Sequence, residues 1–246
     1  MSVHITFLGS GDAFGSGGRF QTCILVKGSK SQFLIDCGAS ALIAMRRFQV
    51  NPNDIAMILL SHLHGDHFGG LPFFILDAQF ISKRPHPLLI AGPPGTQKRV
   101  PELMEVMFPG STRVERKFSV DLIELELERP RALGEITVTP YEVRHPSGSP
   151  SLALRIECEG KTIAYSGDTE WTEALIPVAQ DADLFIAESY AFDKKVKYHT
   201  DFQTLIAHLD DLRPKRMVIT HMGPDMLARL GTLPCEHAAD GIVIEL

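Results

Sequence analysis

The chain has 246 residues, of which 44% are hydrophobic and 22% are charged. These proportions are normal for a globular protein, and the length fits one large domain over residues 1–246. The formal net charge of −6 argues against a broad basic surface for nucleic acid, although it is compatible with a small local basic patch. No apolar run approaches the length of a membrane span, so we expect no membrane partner.

The N-terminal segment and the cysteines indicate the compartment. Residues 1–7 have the pattern of a strand and lack the charged and long apolar regions of a signal peptide. The four cysteines are scattered and form no C-x-x-C pair: Cys23, Cys37, Cys158 and Cys235. This spacing predicts buried free thiols in a reducing environment, and we therefore expect a cytoplasmic protein.

The first half of the chain alternates predicted strands with predicted helices. Strand patterns cover residues 3–8, 23–26, 32–36, 56–60 and 88–91. Apolar residues at helical spacing cover residues 39–48, 70–81 and 96–108. A glycine-rich loop at residues 9–18 lacks the Lys-Ser/Thr ending of a P-loop, and no helical pattern follows it. We favour a flexible turn over a phosphate cradle, although its glycines would let the backbone approach a ligand.

The second half of the chain alternates in a similar way. Strands are predicted at residues 122–127, 136–143, 151–157, 162–166, 184–187, 216–220 and 241–245. Helices are predicted at residues 173–179 and 202–209. Two β-rich halves with intervening helices predict an α/β fold in which two sheets pack face to face with helices outside.

The segment His62-x-His64-x-Asp66-His67 follows the strand predicted at residues 56–60. Residues two apart in an extended segment point the same way, so His62 and His64 can reach one metal ion from one face. Asp66 and His67 lie where the chain turns, and they can address a second metal ion close by. Nitrogen and carboxylate ligands without thiolate suit zinc, manganese or iron.

Three further candidates, His145, Asp168 and His221, each follow a predicted strand. Taken singly, a histidine at a strand end is more often a hydrogen-bonded loop residue. An aspartate after Ser-Gly is more often a turn residue or a helix N-cap. Their recurrence after the first cluster favours metal ligation, because two metal ions need about seven protein ligands and these three complete the set.

These motifs resemble the metallo-β-lactamase fold superfamily, and within it the ribonuclease Z-like phosphodiesterase branch. The resemblance rests on H-x-H-x-D-H at residues 62–67, with further matches at residues 7–11, 34–38 and 166–169. It covers essentially the whole chain. It implies an αββα four-layer sandwich of two packed mixed β-sheets, with the site at one edge.

The resemblance also implies two groups of metal ligands that share one bridging carboxylate. The first metal ion would be held by His62, His64 and His145. The second would be held by Asp66, His67 and His221, and Asp168 would bridge the two. Asp66 would also contact the nucleophilic water. We expect two divalent ions, zinc first with manganese or iron as alternatives, whose bridging hydroxide attacks the substrate. Behind the ligands, Asp36 is expected to orient a ligating imidazole.

The metal site alone does not fix the substrate, because the same centre serves lactams, thioesters, lactones and phosphodiesters. Residues 187–190 resemble the glutamate-containing strand end of ribonuclease Z-like enzymes, and residues 198–201 resemble their His-Ser/Thr motif. In that branch His199, supported by Glu188, would protonate the leaving oxygen. The alternative is that this segment only caps a helix, with His199 on the surface.

One departure from the family pattern bears on the substrate. Only residues 146–167 separate His145 from Asp168, which leaves no room for the long arm with which ribonuclease Z grips tRNA. We therefore expect a dinuclear metal-dependent hydrolase, first of all a phosphodiesterase for a small or nucleotide-like phosphodiester, without extended RNA binding. Three cationic residues are candidates for contact with the substrate phosphate: Arg19, Lys98 and Arg99.

Three alternatives remain. The protein could hydrolyse lactone, thioester or β-lactam bonds, or it could be a ribonuclease Z-type RNA endonuclease. It could also bind metal and carry or sense a ligand without turnover. A homodimer is compatible with the family, but no interface is visible in the sequence.

Overall fold

The computed structural model describes residues 2–246, and all statements below refer to that part of the chain. The strands of the first sheet are β1 (His4–Gly9), β2 (Cys23–Lys27), β3 (Gln32–Ile35), β4 (Met57–Leu59), β5 (Leu88–Gly92) and β6 (Val120–Glu124). The strands of the second sheet are β7 (Arg131–Leu133), β8 (Ile136–Val143), β9 (Ser151–Cys158), β10 (Lys161–Tyr165), β11 (Leu184–Glu188), β12 (Met217–Thr220) and β13 (Glu236–His237). The last strand, β14 (Val243–Glu245), returns to the first sheet.

The helices lie between these strands. Those of the first half are α1 (Ala41–Arg47), α2 (Gly65–Phe68), α3 (Leu71–Phe80) and α4 (Thr96–Met107). Those of the second half are α5 (Leu175–Ala179), α6 (Phe202–Ala207), α7 (Leu209–Leu212) and α8 (Pro224–Leu227). No helix within residues 2–246 combines the length and the apolar character that crossing a bilayer requires.

Each sheet has seven strands and mixes parallel with antiparallel pairing. The first has the order β14-β1-β2-β3-β4-β5-β6, and the second has the order β13-β12-β11-β10-β9-β8-β7. In the first sheet β3 to β6 are parallel. In the second sheet β10 to β13 are parallel, and β7 to β10 are antiparallel. The predicted pair of mixed sheets is therefore confirmed.

Three apolar layers hold the sheets and helices together. One buried cluster contains Phe7 and Phe33 from the first sheet and Ile156 and Ile186 from the second, so it lies between the sheets. Alternate residues of a strand point to opposite faces, and the outer faces therefore form their own clusters with the helices. One of these outer clusters joins the first sheet to helices α1, α3 and α4, and the other joins the second sheet to α5 and α6. This is the predicted αββα sandwich.

Several predicted elements differ from the structure in position. The strand predicted at residues 122–127 forms instead at Val120–Glu124, where it pairs with β5. The short strand Arg131–Leu133 was not predicted, because two of its three residues are exposed and it shows little apolar alternation. The helix predicted at residues 202–209 divides at His208, which has non-helical backbone angles.

The cysteine prediction is confirmed for three residues and wrong for the fourth. Cys23, Cys37 and Cys158 are buried free thiols, as expected, and burial raises the pKa of each. Cys235 is also free but only partly buried, because it precedes the two-residue edge strand β13. A residue beside an edge strand has no neighbouring strand to cover it on that side.

Candidate metal centre

The topology brings the predicted ligands to one edge of the sandwich. Strands β8, β10, β11 and β12 run in the same direction, so their carboxyl ends lie at the same edge. Three predicted ligands follow the ends of β8, β10 and β12: His145, Asp168 and His221. Glu188 is the last residue of β11. The first sheet contributes residues 62–67, which follow β4 and continue into the short helix α2, where the sequence predicted only a turn.

The first group of candidate ligands consists of His62, His64 and His145, whose ligand atoms lie within 4.8 Å of one another. His145 Nδ1 lies 3.0 Å from the carbonyl oxygen of Tyr198, to which it donates, and Nε2 remains for ligation. That Nε2 atom lies 3.0 Å from His64 Nδ1. The Nδ1 atom of His62 lies 3.1 Å from the hydroxyl of Ser61, which leaves Nε2 turned toward the group.

The second group consists of Asp66, His67, Asp168 and His221, again within 4.8 Å. His67 Nε2 lies 3.2 Å from Asp66 Oδ2 and 3.3 Å from Asp168 Oδ2. His221 Nε2 lies 3.3 Å from each of the same two oxygens. Asp168 Oδ2 is also 3.9 Å from His62 Nε2, so this carboxylate lies between the two groups. The structure thus brings together all seven predicted ligands in the predicted grouping, and their role as ligands stays a prediction.

Three buried atoms at the centre of these groups have no hydrogen-bond partner: His62 Nε2, His67 Nε2 and Asp168 Oδ1. Buried polar atoms in folded proteins are nearly always paired, because an unpaired atom loses its hydrogen bonds to water and gains none within the protein. Imidazole nitrogens and a carboxylate oxygen that converge without partners have the chemistry of a divalent metal site. The residues present therefore fit two metal ions.

Asp36 lies buried behind the second group and holds it in place. Its carboxylate accepts hydrogen bonds from Ser61 N at 2.8 Å, from Ser61 Oγ at 2.7 Å and from the Tyr165 hydroxyl at 3.1 Å. Its Oδ2 atom also lies 2.7 Å from His67 Nδ1. Because His67 donates from Nδ1, its Nε2 atom is directed at the group with a free lone pair. The expectation that Asp36 orients an imidazole is confirmed.

Gly167 allows the two sheets to approach at the site. It has a φ of +58°, and a Cβ atom there would lie 2.6 Å from the carbonyl oxygen of Leu152 and 3.2 Å from Ser61 Cβ. A side chain would therefore push Asp168 away from the His62 segment. Glycine has no Cβ atom to make these contacts, and it adopts a positive φ without strain.

His199 lies beside the two groups rather than on the open surface. Its Nδ1 atom forms a short hydrogen bond with Glu188 Oε1, and its side chain is 20% exposed. Its ring centroid lies 5.0 Å from that of His145 and 5.9 Å from that of His221. Glu188 is buried, and its second oxygen accepts from the backbone N–H of Thr169 at 2.7 Å. The alternative that places His199 on the surface is therefore wrong.

The capping half of that alternative is correct. Asp201 is the N-cap of α6, and its side chain accepts from Thr204 N at 3.0 Å. The cap fixes where the helix begins, and His199 lies two residues before it. One segment therefore both starts a helix and places an imidazole at the site.

The charges of the site shift the pKa values of its histidines. Burial lowers the pKa of His221, but the charges of Asp168 and Glu188 and the hydrogen bond of Asp66 together outweigh it, and the pKa rises to about 9. Burial likewise lowers the pKa of His199, but the hydrogen bond and charge of Glu188 raise it above its usual value. Burial, and then the charge of Asp168, raise the pKa of Glu188. The free site therefore holds protons that a bound cation would displace.

A cavity of about 340 Å³ opens over both groups. Besides five of the candidate ligands and His199, it is lined by residues that the sequence analysis did not single out: Asp12, Ala13, Phe14, Tyr190, Val196 and Lys197. These residues lie in loops, which have no periodic pattern that could have marked them. Arg19, Lys98 and Arg99, the cations that the sequence offered for phosphate contact, do not line the cavity.

The glycine-rich loop at residues 9–18 reaches this cavity and is more ordered than the predicted flexible turn. The buried carboxylate of Asp12 accepts hydrogen bonds from Phe14 N at 3.2 Å and from Ser16 N at 2.8 Å. The N–H of Gly15 donates to the carbonyl oxygen of Asp12, and that of Gly18 donates to the carbonyl oxygen of Gly15. Because these N–H groups already have partners, the loop does not offer them as a phosphate cradle.

Comparison with known proteins agrees with this architecture. The family model described as anti-Pycsar protein Apyc1 matches residues 3–233. The uncharacterized protein Rv1339 of Mycobacterium tuberculosis is 32% identical, and the alignment covers 77% of this chain and 68% of that protein. Ribonuclease Z of Methanosarcina acetivorans is 26% identical, over 89% of this chain and 87% of its own length.

Two solved structures share the fold over nearly the whole chain. Human tRNase Z, short form, superposes with a TM-score of 0.80 at 24% identity and covers 98% of both chains. The metallo-β-lactamase fold protein YhfI from Bacillus subtilis superposes with a TM-score of 0.78 at 21% identity and covers 100% of both. The chain therefore belongs to the anti-Pycsar protein Apyc1 family, within the ribonuclease Z-like branch of the metallo-β-lactamase fold superfamily.

Proposed function

We propose that the protein is a metal-dependent hydrolase that cleaves small phosphodiesters. The observation that carries this proposal is one cavity that is lined by members of both candidate ligand groups and by His199, which forms a hydrogen bond with the buried Glu188. The names of its relatives support the hydrolase class, since several of them are ribonuclease Z proteins. The site supports the narrower phosphodiester assignment.

The seven candidate ligands would hold two divalent ions, and we propose zinc, with manganese or iron as alternatives. His62, His64 and His145 would bind one ion, and Asp66, His67 and His221 the other, with Asp168 shared between them. When bound, such ions lower the pKa of a coordinated water and neutralise charge on the phosphate oxygens. The chain's own task is to fix this geometry and to move protons.

Asp66 is proposed to hold the attacking water by accepting its hydrogen bond. Burial alone would raise the pKa of Asp66, but the charge of His67 and the hydrogen bond and charge of His221 hold it well below its usual range. The carboxylate therefore stays ionised and keeps its acceptor capacity near neutral pH. It is also 7% exposed, so it lies at the floor of the cavity rather than beneath it.

His199 is proposed to protonate the leaving oxygen, with Glu188 as the residue that positions it. The Glu188 carboxylate holds Nδ1, so His199 Nε2 is the atom that is free to give its proton to the substrate. The raised pKa of His199 favours retention of that proton. An alkoxide leaves poorly without an acid, whereas a thiolate leaves readily. The pair therefore favours a phosphodiester over a thioester.

The cavity favours a small substrate over tRNA. Ligand pockets in proteins span about 300–1,000 Å³, and this cavity of about 340 Å³ lies at the small end. The connection between β8 and β9 is a short loop of residues 144–150. In it Ser147 Oγ contacts Ser151 Oγ at 3.0 Å, and Ser151 Oγ donates to the carbonyl oxygen of His145 at 2.7 Å. No projecting arm leaves this connection.

The test is hydrolysis of bis(p-nitrophenyl) phosphate by the zinc- and manganese-loaded protein, with Asp168→Ala alongside. We expect turnover by the wild type and none above background by the variant, because the variant lacks the shared carboxylate. Absence of turnover with both metal ions bound would reject the phosphodiesterase. Activity on a lactone or thioester in the same samples would then select the alternative hydrolase.

A further inference from the structure

The candidate ligand His221 differs from three other histidines of the site in how its ring is held. The Nδ1 atoms of His62, His67 and His145 lie 3.1, 2.7 and 3.0 Å from a hydroxyl, a carboxylate and a carbonyl oxygen, respectively. His221 Nδ1 is buried without a hydrogen-bond partner in the described chain, and Glu188 Oε1 lies 3.6 Å away. A ligating imidazole is usually fixed by a hydrogen bond at its second nitrogen. The orientation of His221 therefore depends on its backbone.

The backbone of His221 is in a conformation that needs support from its surroundings. Its φ of +55° lies in the left-handed region, which residues other than glycine seldom adopt. Such a residue persists only where neighbouring groups fix it. Here the N–H of His221 donates to the carbonyl oxygen of Ser10 at 3.2 Å, and the hydroxyl of Thr220 donates to the same oxygen at 3.3 Å. The Ser10 carbonyl thus holds the end of β12, from which the ligand projects.

Asp240 in turn fixes Ser10. Its Oδ1 atom accepts hydrogen bonds from Ser10 N at 2.9 Å and from Ser10 Oγ at 2.8 Å. Its Oδ2 atom accepts from Phe20 N at 2.8 Å. One carboxylate therefore holds the chain near the start of the glycine-rich loop at residues 9–18 and again just after its end.

The segment that carries Asp240 is itself anchored to both sheets, because it connects β13 of the second sheet to β14 of the first. Ala238 N donates to the carbonyl oxygen of Ile219 at 2.8 Å, and Gly241 N donates to that of Phe7 at 2.7 Å. The Asp240 carboxylate thus projects from a backbone that is fixed on either side of it.

Arg19 completes the contact between this segment and the loop. Its guanidinium donates to Ser10 Oγ at 3.1 Å and to the carbonyl oxygen of Ala238. Burial lowers the pKa of Arg19, and the charge of Asp240 opposes that shift. The sequence made Arg19 a candidate for contact with phosphate, whereas the structure places it beside Asp240 and away from the cavity.

We propose that Asp240 is a positioning residue that fixes His221, through the carbonyl group of Ser10, in the orientation that a metal ion in the second group needs. The inference rests on the proposed function for the presence of that ion. Asp240 does not line the cavity, so it acts on metal binding without contact with metal or substrate. It does for His221 through the backbone what Asp36 does for His67 through the ring.

The test measures the zinc affinity of each group separately, by competition with a chromophoric chelator. His64→Ala is expected to retain only the ion of the second group, and His221→Ala only the ion of the first. Adding Asp240→Ala should weaken zinc binding by about 10- to 100-fold in the His64→Ala background. It should change nothing in the His221→Ala background, because the residue through which Asp240 acts is already absent.

A second variant and a control accompany this pair. Asp240→Asn keeps the size of the side chain, but its amide offers one acceptor oxygen for the donors of Ser10 and Phe20. It should weaken the second group to a smaller extent, and it carries the test if circular dichroism shows that Asp240→Ala is unfolded. The matched control is Glu245→Gln, an exposed carboxylate in β14 of the same segment, which should leave both affinities unchanged.

The outcomes separate this inference from the proposed function. Unchanged zinc affinity of the second group in the Asp240 variants would overturn the role of Asp240 alone. Equal weakening in both backgrounds would also overturn it, because Asp240 would then support the fold in general rather than His221. A wild-type protein that binds no zinc would reject the metal groups and the proposed function together. Since the measurement follows metal binding at equilibrium, it does not depend on hydrolysis of any substrate.

Discussion

The two halves of the candidate site are built in different ways. The first sheet contributes residues 62–67, a single segment in which four candidate ligands lie close together along the chain. The second sheet contributes His145, Asp168 and His221, which are far apart in sequence and meet because three strands end at one edge. We call residues 62–67 the local half of the site, and its geometry depends on one short segment. We call His145, Asp168 and His221 the dispersed half, and its geometry depends on the correct order of strands.

The metal groups cross the boundary between these halves. The first group combines His62 and His64 with His145, and the second combines Asp66 and His67 with Asp168 and His221. Neither half alone contains a full ligand set. The comparison therefore teaches that the centre forms only when the two sheets are packed, and the predictions below test that dependence.

The largest effect is expected from removing one ligand of the first group on either side of the boundary. His64→Ala and His145→Ala should each reduce the metal content to about one ion per chain and lower turnover on the order of 10³-fold, because either loss leaves the same ion with too few ligands. Metal content by mass spectrometry and phosphodiester turnover measure this. If His145→Ala retained two ions while His64→Ala lost one, His145 would not be a ligand of the first group.

The next effect concerns His199. This residue lies beside both groups of candidate ligands and is a predicted ligand of neither. His199→Ala should keep both metal ions and slow substrates with an alkoxide leaving group by about 10²-fold, with a much smaller effect on p-nitrophenolate, which leaves without an acid. His208→Ala is the control, since His208 stacks on Trp171 away from the cavity. Loss of metal from the His199 variant would show that His199 is a ligand instead.

A smaller effect is expected at Asp36, which supports the local half from behind. Asp36→Asn should weaken metal affinity by about 10- to 100-fold, because an amide holds His67 Nδ1 less firmly than a carboxylate does. A competition titration with a chromophoric chelator gives the affinity, and a circular dichroism melt checks that the variant is folded. An unchanged affinity in a folded variant would mean that the hydrogen bond from Asp36 is not needed to orient His67.

The smallest effect, for a change of one pH unit, is the effect of pH on metal binding. The pKa of His221 in the free site is raised to about 9, so His221 carries a proton at pH 7 that a metal ion must displace. Affinity should therefore rise with pH between 7 and 9, by at most about tenfold per pH unit for each proton released, and level off above that range. Calorimetry in two buffers of different ionisation enthalpy counts the protons, and a count of zero would contradict the charge state assigned to His221.

The same contrast explains how much the sequence could predict. The H-x-H-x-D-H segment is local, so residue spacing alone indicated a metal site there. The dispersed ligands became persuasive only through their recurrence after strands and through the resemblance to a known superfamily. The sandwich was predictable because buried strands and amphipathic helices have a regular apolar pattern.

What the sequence could not predict lies where no such pattern exists. Phe14, Tyr190 and Lys197 line the cavity from loops, and their positions depend on long-range contacts such as the hydrogen bonds of Asp12. The short helix α2 was missed because it has only four residues, of which Gly65, Asp66 and His67 also suit a turn or a ligand loop. Short elements are stabilised by their surroundings more than by their own propensity.

The central claim is that two halves of the chain together hold a dinuclear centre that hydrolyses phosphodiesters. The most direct measurement is a titration of metal-free protein with Zn²⁺, repeated with Mn²⁺, in which turnover of bis(p-nitrophenyl) phosphate is followed against metal ions bound per chain. The account predicts that activity appears mainly as the second ion binds and stops rising at two per chain. Full activity at one ion per chain, or none at two, would contradict it.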